Sequence, residues 1–229
     1  MAQIKKKSEI AKIKKACEIT DRIFSELIKN FKKHKTEIAL REYILDLIKK
    51  HKVKPSFSPI VSSGPRAGNE IHPKSTEYDM GGFVIVDFGV SYKGYKSDMT
   101  RMLYVGKPKK TEVAKYKKVL QAQALGIRKI IPNQKTALAD KAVRKYLGPL
   151  TKYFVHTLGH GVGSRIHEAP KIYEKRTRSY FRPNMVVTIE PGIYIKETVG
   201  IRIEDTCLVT EQGREVLTKS SKRLIVFPK

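Results

Sequence analysis

The chain has 229 residues, 40% of them hydrophobic, which suits one large domain or two small ones and excludes a disordered chain. Its 47 Lys and Arg against 22 Asp and Glu give a net charge of +25. The lysines are spread along the whole chain without an RNP, KH or zinc-knuckle pattern, which predicts only weak, non-specific association with nucleic acid. No stretch approaches the roughly 18 apolar residues of a membrane span, so no membrane contact is expected.

The first part of the chain has the spacing of two amphipathic helices. Apolar residues recur at helical spacing over residues 8–31, with lysines between them. Thr36 is predicted to cap a second helix, whose apolar face includes Leu40 and Ile44. The stretch 55–75 is rich in turn-forming residues and predicts loops and short extended pieces.

Two more helices and several strands follow. A third helix is predicted from Thr111 to about Ile131, and Thr136 is predicted to cap a fourth that ends at Gly148. Strands are predicted near residues 83–89, 98–105, 153–157, 185–190, 201–209 and 223–227. The two cysteines, Cys17 and Cys207, are predicted to be reduced, buried thiols. The N-terminus lacks the apolar segment of a signal peptide, so a cytoplasmic location is expected.

Two segments repeat one pattern. Residues 80–105 and 182–209 each contain an apolar strand, an acid, a Gly or Pro turn, a Tyr, a loop, a second acid, a Thr and another apolar strand. The acids are Asp87 and Asp98 in the first segment and Glu190 and Glu204 in the second. Because two helices precede each segment, a duplicated α+β unit with four carboxylates near its pseudo-two-fold axis is predicted.

Four carboxylates cannot converge in an apolar interior without a compensating charge. A pair of divalent ions, roughly 3.5–4 Å apart, is the natural compensation, and such sites commonly add a neutral imidazole. Residues 153–170 contain three histidines, with glycines between them: His156, His160 and His167. The sequence therefore predicts a metal centre, and two cysteines are too few for a zinc finger.

These motifs resemble those of the pita-bread (M24-type) metallopeptidases, and within them the Xaa-Pro peptidases, aminopeptidase P and prolidase. The family's first metal-binding hairpin resembles DFGVSYKGYKSDMTR (87–101), and its histidine segment resembles HTLGHGVGSRIHEAP (156–170). Its first glutamate motif resembles TIEPGIY (188–194), and its second glutamate motif resembles GIRIEDT (200–206). The loop that carries a substrate-side histidine resembles IVSSGPRAGNEIHP, which contains His72. The resemblance covers nearly all of the chain.

The resemblance implies a pita-bread fold of class α+β, with two pseudo-symmetric halves and antiparallel sheet covered by helices. Residues 1–229 are expected to form a single catalytic domain with halves of about 1–108 and 109–229. No N-terminal creatinase-type domain is expected, because the chain starts almost directly at the first helix of the catalytic domain. This departure leaves open the preference for dipeptides or longer peptides, the oligomeric state and the proline specificity.

The resemblance also implies the ligands of two divalent ions, namely Asp87, Asp98, His160, Glu190 and Glu204. Asp98 and Glu204 would bridge both ions. Oxygen ligands with a single imidazole favour Mn²⁺ or Co²⁺, with Fe²⁺ and Zn²⁺ as alternatives.

The implied reaction is hydrolysis of an N-terminal Xaa-Pro peptide bond by a hydroxide that bridges the ions. Glu190 would accept the proton of the attacking water. His72 and His167 would stabilise the tetrahedral intermediate or the departing amine, and His156 and Arg202 would line the substrate side.

Two other functions remain open. Methionine aminopeptidases share the five ligands, but the RIED and EPGIY motifs favour an Xaa-Pro peptidase. A non-catalytic pita-bread module that binds nucleic acid or ribosomes fits the charge of +25, although such modules usually lack metal ligands. Tyr92, Tyr95 and Tyr194 are expected to pack within hairpins rather than to act in the site.

Overall fold

The structure is a computed structural model that describes residues 4–229. The described part contains four α-helices, α1 (Lys7–Asn30), α2 (Glu37–Lys50), α3 (Lys110–Arg128) and α4 (Ala137–Leu147). Its fourteen strands are β1 (Lys54–Pro55), β2 (Ile60–Ser63), β3 (Gly82–Phe88), β4 (Val90–Tyr92), β5 (Tyr95–Lys96), β6 (Met99–Val105), β7 (Gly159–Gly161), β8 (Glu168–Ile172), β9 (Val186–Ile189), β10 (Gly192–Ile195), β11 (Val199–Arg202), β12 (Asp205–Thr210), β13 (Gly213–Val216) and β14 (Ile225–Phe227).

The four predicted helices are confirmed, and one of the two predicted caps is wrong. The Thr36 hydroxyl accepts a hydrogen bond from the Ala39 amide at 3.2 Å and caps α2 as predicted. Thr136 has helical backbone angles, and its side chain does not cap α4. Its amide and hydroxyl both point to the Ser179 carbonyl instead, so a loop contact replaces the cap. Gly148, with a φ of +61°, ends α4 as predicted.

The first sheet has the strand order β14-β6-β3-β2. β3 and β6 are antiparallel, with Asp87 opposite Thr100, and β14 joins the free edge of β6 in parallel. Alternate residues of β3 point to opposite faces. Val84 and Val86 pack in the core beneath α1 and α2, whereas Ile85 packs in a core with residues of α3, β10 and β11. Asp87 therefore lies on the inner face of the molecule.

The second sheet has the strand order β13-β12-β9-β7-β8, and its neighbouring strands are antiparallel. Val187 and Ile189 of β9 pack with Val143 of α4 and Ala122 of α3 in a second core. The predicted arrangement of antiparallel sheet beneath helices is thus present in both sheets. None of the helices in residues 4–229 is long and apolar enough to cross a membrane.

A short hairpin interrupts the central strand pair of each sheet. β4 and β5 lie between β3 and β6, and β10 and β11 lie between β9 and β12. The two pairs meet where the Thr206 hydroxyl donates to the Asp98 carbonyl at 2.7 Å. The Glu204 amide also donates to the Thr100 carbonyl, at 3.2 Å. Although β14 comes from the end of the chain, it extends the first sheet.

The strand predicted at residues 153–157 is wrong. A 3₁₀ turn occupies Gly148–Tyr153, and the strand begins only at Gly159. The Arg144 guanidinium donates to the carbonyls of Phe154 at 2.9 Å and His156 at 2.7 Å. A side chain of α4 thus takes backbone acceptors that a strand ladder would need.

The single strand predicted at 201–209 is divided into β11 and β12. The break falls at residues 203–204, where the Arg101 guanidinium takes the Glu204 carbonyl as an acceptor. The strands β8, β10 and β13 were not predicted. Cys17 and Cys207 are buried, free thiols, as predicted.

Candidate metal centre and the cavities around it

Four acids at the ends of the central strands of both sheets lie close together. Asp87 lies in β3, Asp98 directly precedes β6, Glu190 directly follows β9 and Glu204 directly precedes β12. All four side chains, together with His160 of β7, line a cavity of about 790 Å³. The five predicted metal ligands are therefore brought together by the fold.

The closest contacts are centred on His160. Asp98, His160 and Glu204 each offer a ligand atom within 4.8 Å of the others. His160 Nε2 lies 3.6 Å from Asp98 Oδ2 and 3.3 Å from Glu190 Oε1. Its Nδ1 donates to the Gly161 carbonyl at 3.0 Å, which leaves the Nε2 lone pair directed at the acids. This is the tautomer that a metal ligand requires.

The pKa values of three of the acids are raised by burial and by repulsion from neighbouring acids. Burial raises the pKa of Asp98, and repulsion from Asp87 and Glu190 raises it further. Burial likewise raises the pKa of Glu190 to about 8 and that of Glu204 well above its ordinary value. Divalent cations would reverse these shifts, because they favour the ionised form of each acid.

The two carboxylate oxygens of Asp87 differ in their hydrogen bonding. The Arg202 guanidinium donates to Asp87 Oδ2 at 2.6 Å and to the Tyr194 hydroxyl at 2.6 Å. Asp87 Oδ1 is buried and has no hydrogen-bond partner within residues 4–229. A buried carboxylate oxygen is rarely left unpartnered. Its position beside three further acids and an imidazole fits a ligand to a divalent cation.

Two threonines hold the glutamates and were missed by the sequence analysis. The Thr100 hydroxyl donates to Glu204 Oε2 at 2.7 Å, and the Thr188 hydroxyl donates to Glu190 Oε1 at 3.2 Å. Thr188 stands two residues before Glu190. Since side chains two apart on a strand share a face, this spacing is a signal that could have found it.

Gly159 allows β7 to approach β9 closely enough to place His160. A Cβ at Gly159 would lie 2.0 Å from the Thr188 carbonyl oxygen, which no side chain can tolerate. The His160 amide donates to the Thr188 hydroxyl at 3.1 Å. The backbone of the histidine segment is therefore fixed against the strand that leads to Glu190.

A second cavity, of about 590 Å³, lies beside the first. The residues that line both cavities are His72, His160, His167 and Glu190. The His167 ring packs edge-on against His160, with centroids 4.4 Å apart. Burial lowers the pKa of both His72 and His167, so both imidazoles are neutral at pH 7.

His156 and Arg202 both contact the Tyr194 hydroxyl, and of the two only His156 lines a cavity of this site. His156 lines only the second cavity, where its Nε2 is 3.2 Å from the Tyr194 hydroxyl. Burial, followed by the charge of Arg202, lowers the pKa of His156 to about 3. Arg202 is buried behind Asp87 and lines neither of the two cavities. Tyr194, expected only to pack in its hairpin, joins His156 to Arg202 and is a residue that the sequence analysis missed.

Comparison with known proteins agrees with this arrangement. The model of metallopeptidase family M24 matches residues 11–211. The chain is 37% identical over 226 residues to the Xaa-Pro dipeptidase of Pyrococcus furiosus, covering 97% of this chain and 65% of that protein. It is 39% identical over 227 residues to a putative Xaa-Pro aminopeptidase of Mycoplasma genitalium, covering 96% and 64%.

Solved structures with the same fold include an Xaa-Pro dipeptidase from Bacillus anthracis. That structure has a TM-score of 0.93 and 38% identity, over 98% of this chain and 64% of that one. Zn-substituted aminopeptidase P of E. coli in complex with product gives a TM-score of 0.87 and 27% identity, over 96% and 57%. The chain thus spans about 65% of the length of the curated relatives it matches. It belongs to metallopeptidase family M24 and has the pita-bread fold of its structural neighbours.

Proposed function

We propose that this chain is the catalytic domain of a metal-dependent exopeptidase that hydrolyses the peptide bond between an N-terminal residue and proline. The observation that supports it most directly is the convergence of four acids and His160 on one cavity, where the buried Asp87 Oδ1 has no hydrogen-bond partner among the described residues. The relatives named Xaa-Pro dipeptidase and Xaa-Pro aminopeptidase supply the reaction class. The division into halves at about residue 108 belongs to the same proposal.

The proposed centre would hold two divalent ions, Mn²⁺ or Co²⁺, through the side chains Asp87, Asp98, His160, Glu190 and Glu204. Asp98 and Glu204 are the proposed bridges, since each lies at the junction of the two strand pairs. When bound, such ions supply an activated water and polarise the scissile carbonyl.

Glu190 is the proposed proton acceptor. Of the four acids, only Glu190 lines both cavities. Its carboxylate therefore lies where a substrate that occupies both cavities would pass between them. A general base has to lie within hydrogen-bond reach of the proton it removes. From this position the Glu190 carboxylate can take the proton of the attacking water and return it to the departing proline nitrogen.

His72 and His167 are proposed to steady the reacting carbonyl. Both line the two cavities and both are neutral at pH 7, so each can donate one N–H to an oxygen that gains negative charge. His156 is proposed to line the subsite on the side of the departing proline, because it borders only the second cavity. Arg202 is proposed to orient Asp87 rather than to touch the substrate.

The test is hydrolysis of Ala-Pro, Ala-Pro-Ala and Met-Ala-Ser by the purified chain with Mn²⁺ or Co²⁺, with an EDTA control. Cleavage of the proline peptides alone, abolished by EDTA, is expected. Cleavage of Met-Ala-Ser instead would identify a methionine aminopeptidase. If no peptide is cleaved, a binding module becomes the better account, and the charge of +25 makes nucleic acid a non-specific partner to test.

We also propose a cytoplasmic location, supported by the two buried free thiols, Cys17 and Cys207.

A further inference from the structure

The loop that carries His72 has almost no regular structure of its own. This segment, residues 64–76, connects β2 to β3 and is called the His72 loop below. After a 3₁₀ turn at Gly64–Gly68 it forms neither helix nor strand. His72 nevertheless lines both cavities from this loop. Because no strand ladder fixes the backbone here, side-chain contacts have to hold His72 in position.

One buried carboxylate binds both ends of the His72 loop. Glu37, the first residue of α2, is 1% exposed. Its Oε1 accepts hydrogen bonds from the Ser63 amide at 2.6 Å and from the Ser63 hydroxyl at 3.1 Å. Its Oε2 accepts from the amide and the hydroxyl of Thr76, both at 2.9 Å, and from the Arg66 guanidinium. Ser63 directly precedes the loop and Thr76 ends it, so a single side chain joins the two ends.

The geometry requires a carboxylate at this position. The two oxygens of Glu37 accept five hydrogen bonds and donate none. A glutamine amide has one oxygen and one NH₂ group, so its NH₂ would face either the donors of Ser63 or those of Thr76 and Arg66. Glu37→Gln therefore breaks part of this anchor while it keeps the volume of the side chain.

Glu37 acts at a distance from the two cavities, which it does not line. The residues that follow His72, at positions 73–75, line the first cavity. On the other side of His72, the Ile71 carbonyl accepts a hydrogen bond from the Arg202 guanidinium at 2.9 Å. His72 is thus held between the Arg202 contact at Ile71 and the Glu37 contacts at Thr76.

We propose that Glu37 is a positioning residue, which holds the His72 loop against α2 and so places His72 at the boundary of the two cavities. The inference rests on the proposed function, in which His72 donates an N–H to the reacting carbonyl. Such a donor is effective only when it is already aimed at the oxygen that gains charge. A misplacement of about 1 Å can cost on the order of 100-fold in rate. Loss of the Glu37 contacts therefore slows the reaction through His72 and leaves the metal ligands in place.

The test compares Glu37→Gln with Asp21→Asn in the Mn²⁺-loaded protein. Asp21 of α1 is the matched control, because it also accepts hydrogen bonds from two backbone amides and a hydroxyl, those of Lys219 and Ser220, and lines neither cavity. The measurements are kcat and KM for Ala-Pro, Mn²⁺ content and urea unfolding. Glu37→Gln should keep the Mn²⁺ content and lower kcat by about 10- to 100-fold, with KM changed by less than about threefold. Asp21→Asn should lower the stability and leave kcat unchanged.

A double variant separates the positioning of His72 from a purely structural role. If Glu37 acts through His72, Glu37→Gln should change kcat by less than about twofold in a His72→Ala background. Equal losses of kcat in both backgrounds, or an unchanged kcat in the single variant, would overturn the inference. If Glu37→Gln does not fold, Thr76→Val decides the question in the same two backgrounds. It removes one of the five hydrogen bonds and should lower kcat by about 2- to 5-fold only where His72 is present.

Hydrogen exchange keeps this inference distinct from the proposed function. If the wild-type protein cleaves no Xaa-Pro peptide, the proposed function fails. The amides of residues 64–76 should still exchange at least about 10-fold faster in Glu37→Gln than in the wild-type protein, and Asp21→Asn should not change their exchange. Equal exchange of the His72 loop in Glu37→Gln and the wild-type protein would show that Glu37 does not hold it.

Discussion

The acids of the metal centre are buried side chains whose ionised forms are unfavourable without a cation. Burial raises the pKa of Asp98 and of Glu204, and the neighbouring acids raise both further. Because metal ligands must be deprotonated, loading the centre has to expel protons. The same residues that would be costly in an empty core are therefore stable when divalent ions are bound.

Removing either of the two acids that we propose as bridges should disable the centre. We predict that Asp98→Ala and Glu204→Ala each lose one of two bound ions and at least about 100-fold of the Xaa-Pro hydrolysis rate. Metal content by mass spectrometry and hydrolysis of Ala-Pro are the measurements. Glu42→Ala is the control, because Glu42 lines the same cavity outside the acid cluster, and it should keep both ions. Full activity in either bridge variant would contradict the assignment.

The repeated pattern of acids, together with the resemblance, was enough to name the five candidate ligands, and the structure places them on one cavity. The residues that support them were not predicted. Thr188 could have been found from its spacing to the acid on its own strand, but Thr100 binds an acid of a different strand. Tyr194 acts through Arg202 and His156, contacts that join separate motifs and leave no local pattern.

Among the secondary-structure elements, β7 is the one on which the histidine depends. It is three residues long and lies between β9 and β8 in the second sheet. Strands at this spacing normally leave room for a Cβ, but Gly159 faces the Thr188 carbonyl at a distance that excludes one. The position of His160 thus follows from a backbone contact.

A methyl group at Gly159 should separate β7 from β9. We predict that Gly159→Ala weakens Mn²⁺ binding by at least about 10-fold and destabilises the fold by roughly 1–3 kcal/mol, because backbone must move. Calorimetric Mn²⁺ titration and denaturant unfolding measure the two effects. Gly81→Ala is the control, since no atom lies within 4 Å of its added Cβ. Equal behaviour of the two variants would contradict the packing argument.

Elements with strong periodicity were predicted well, and elements fixed by distant side chains were not. All four helices and both central strand pairs follow from apolar spacing. Arg144 cancels a predicted strand by taking the carbonyls of Phe154 and His156. Arg101 binds the Glu204 carbonyl in the same way, between the end of β11 and the start of β12. Such backbone contacts from remote arginines cannot be read from the local sequence.

At the scale of the whole molecule, buried ion pairs join segments that are far apart in the sequence. Arg101 of β6 binds Asp205 of β12 at 2.6 Å. Lys5 binds Glu168 of β8 at 2.7 Å, with side chains only 3% and 1% exposed. The parallel addition of β14 to β6 ties the end of the chain to the first sheet. These long-range pairings depend on the completed fold, so the sequence did not predict them.

The Lys5–Glu168 pair should make stability depend on pH. Burial raises the pKa of Glu168, but hydrogen bonds from Lys5 and the Arg165 amide outweigh it, so this pKa lies below its ordinary value of 4.5. A carboxyl group whose pKa is lower in the folded than in the unfolded state stabilises the fold at any pH above its unfolded-state pKa. This stabilisation is lost as the pH falls through the folded-state pKa. We predict that Lys5→Met loses about 2 kcal/mol at pH 7 and that this deficit shrinks below about pH 4.

Urea unfolding between pH 3 and pH 7 measures this effect. Lys14→Met is the matched control, because the Lys14–Glu215 pair has the same length but is 44% and 41% exposed. It should cost less than about 1 kcal/mol at any pH. A Lys5→Met deficit that stays constant with pH would contradict the role of the ionised Glu168.

The central claim is that four carboxylates and His160 hold two divalent ions. The most direct measurement is calorimetric titration of the metal-free protein with Mn²⁺ at two pH values, with the metal content of the loaded protein determined in parallel. We predict two bound ions per chain, weaker binding at the lower pH, and net release of protons on binding, because the buried acids must ionise. Binding of no ion, or of a single ion without proton release, would contradict the account.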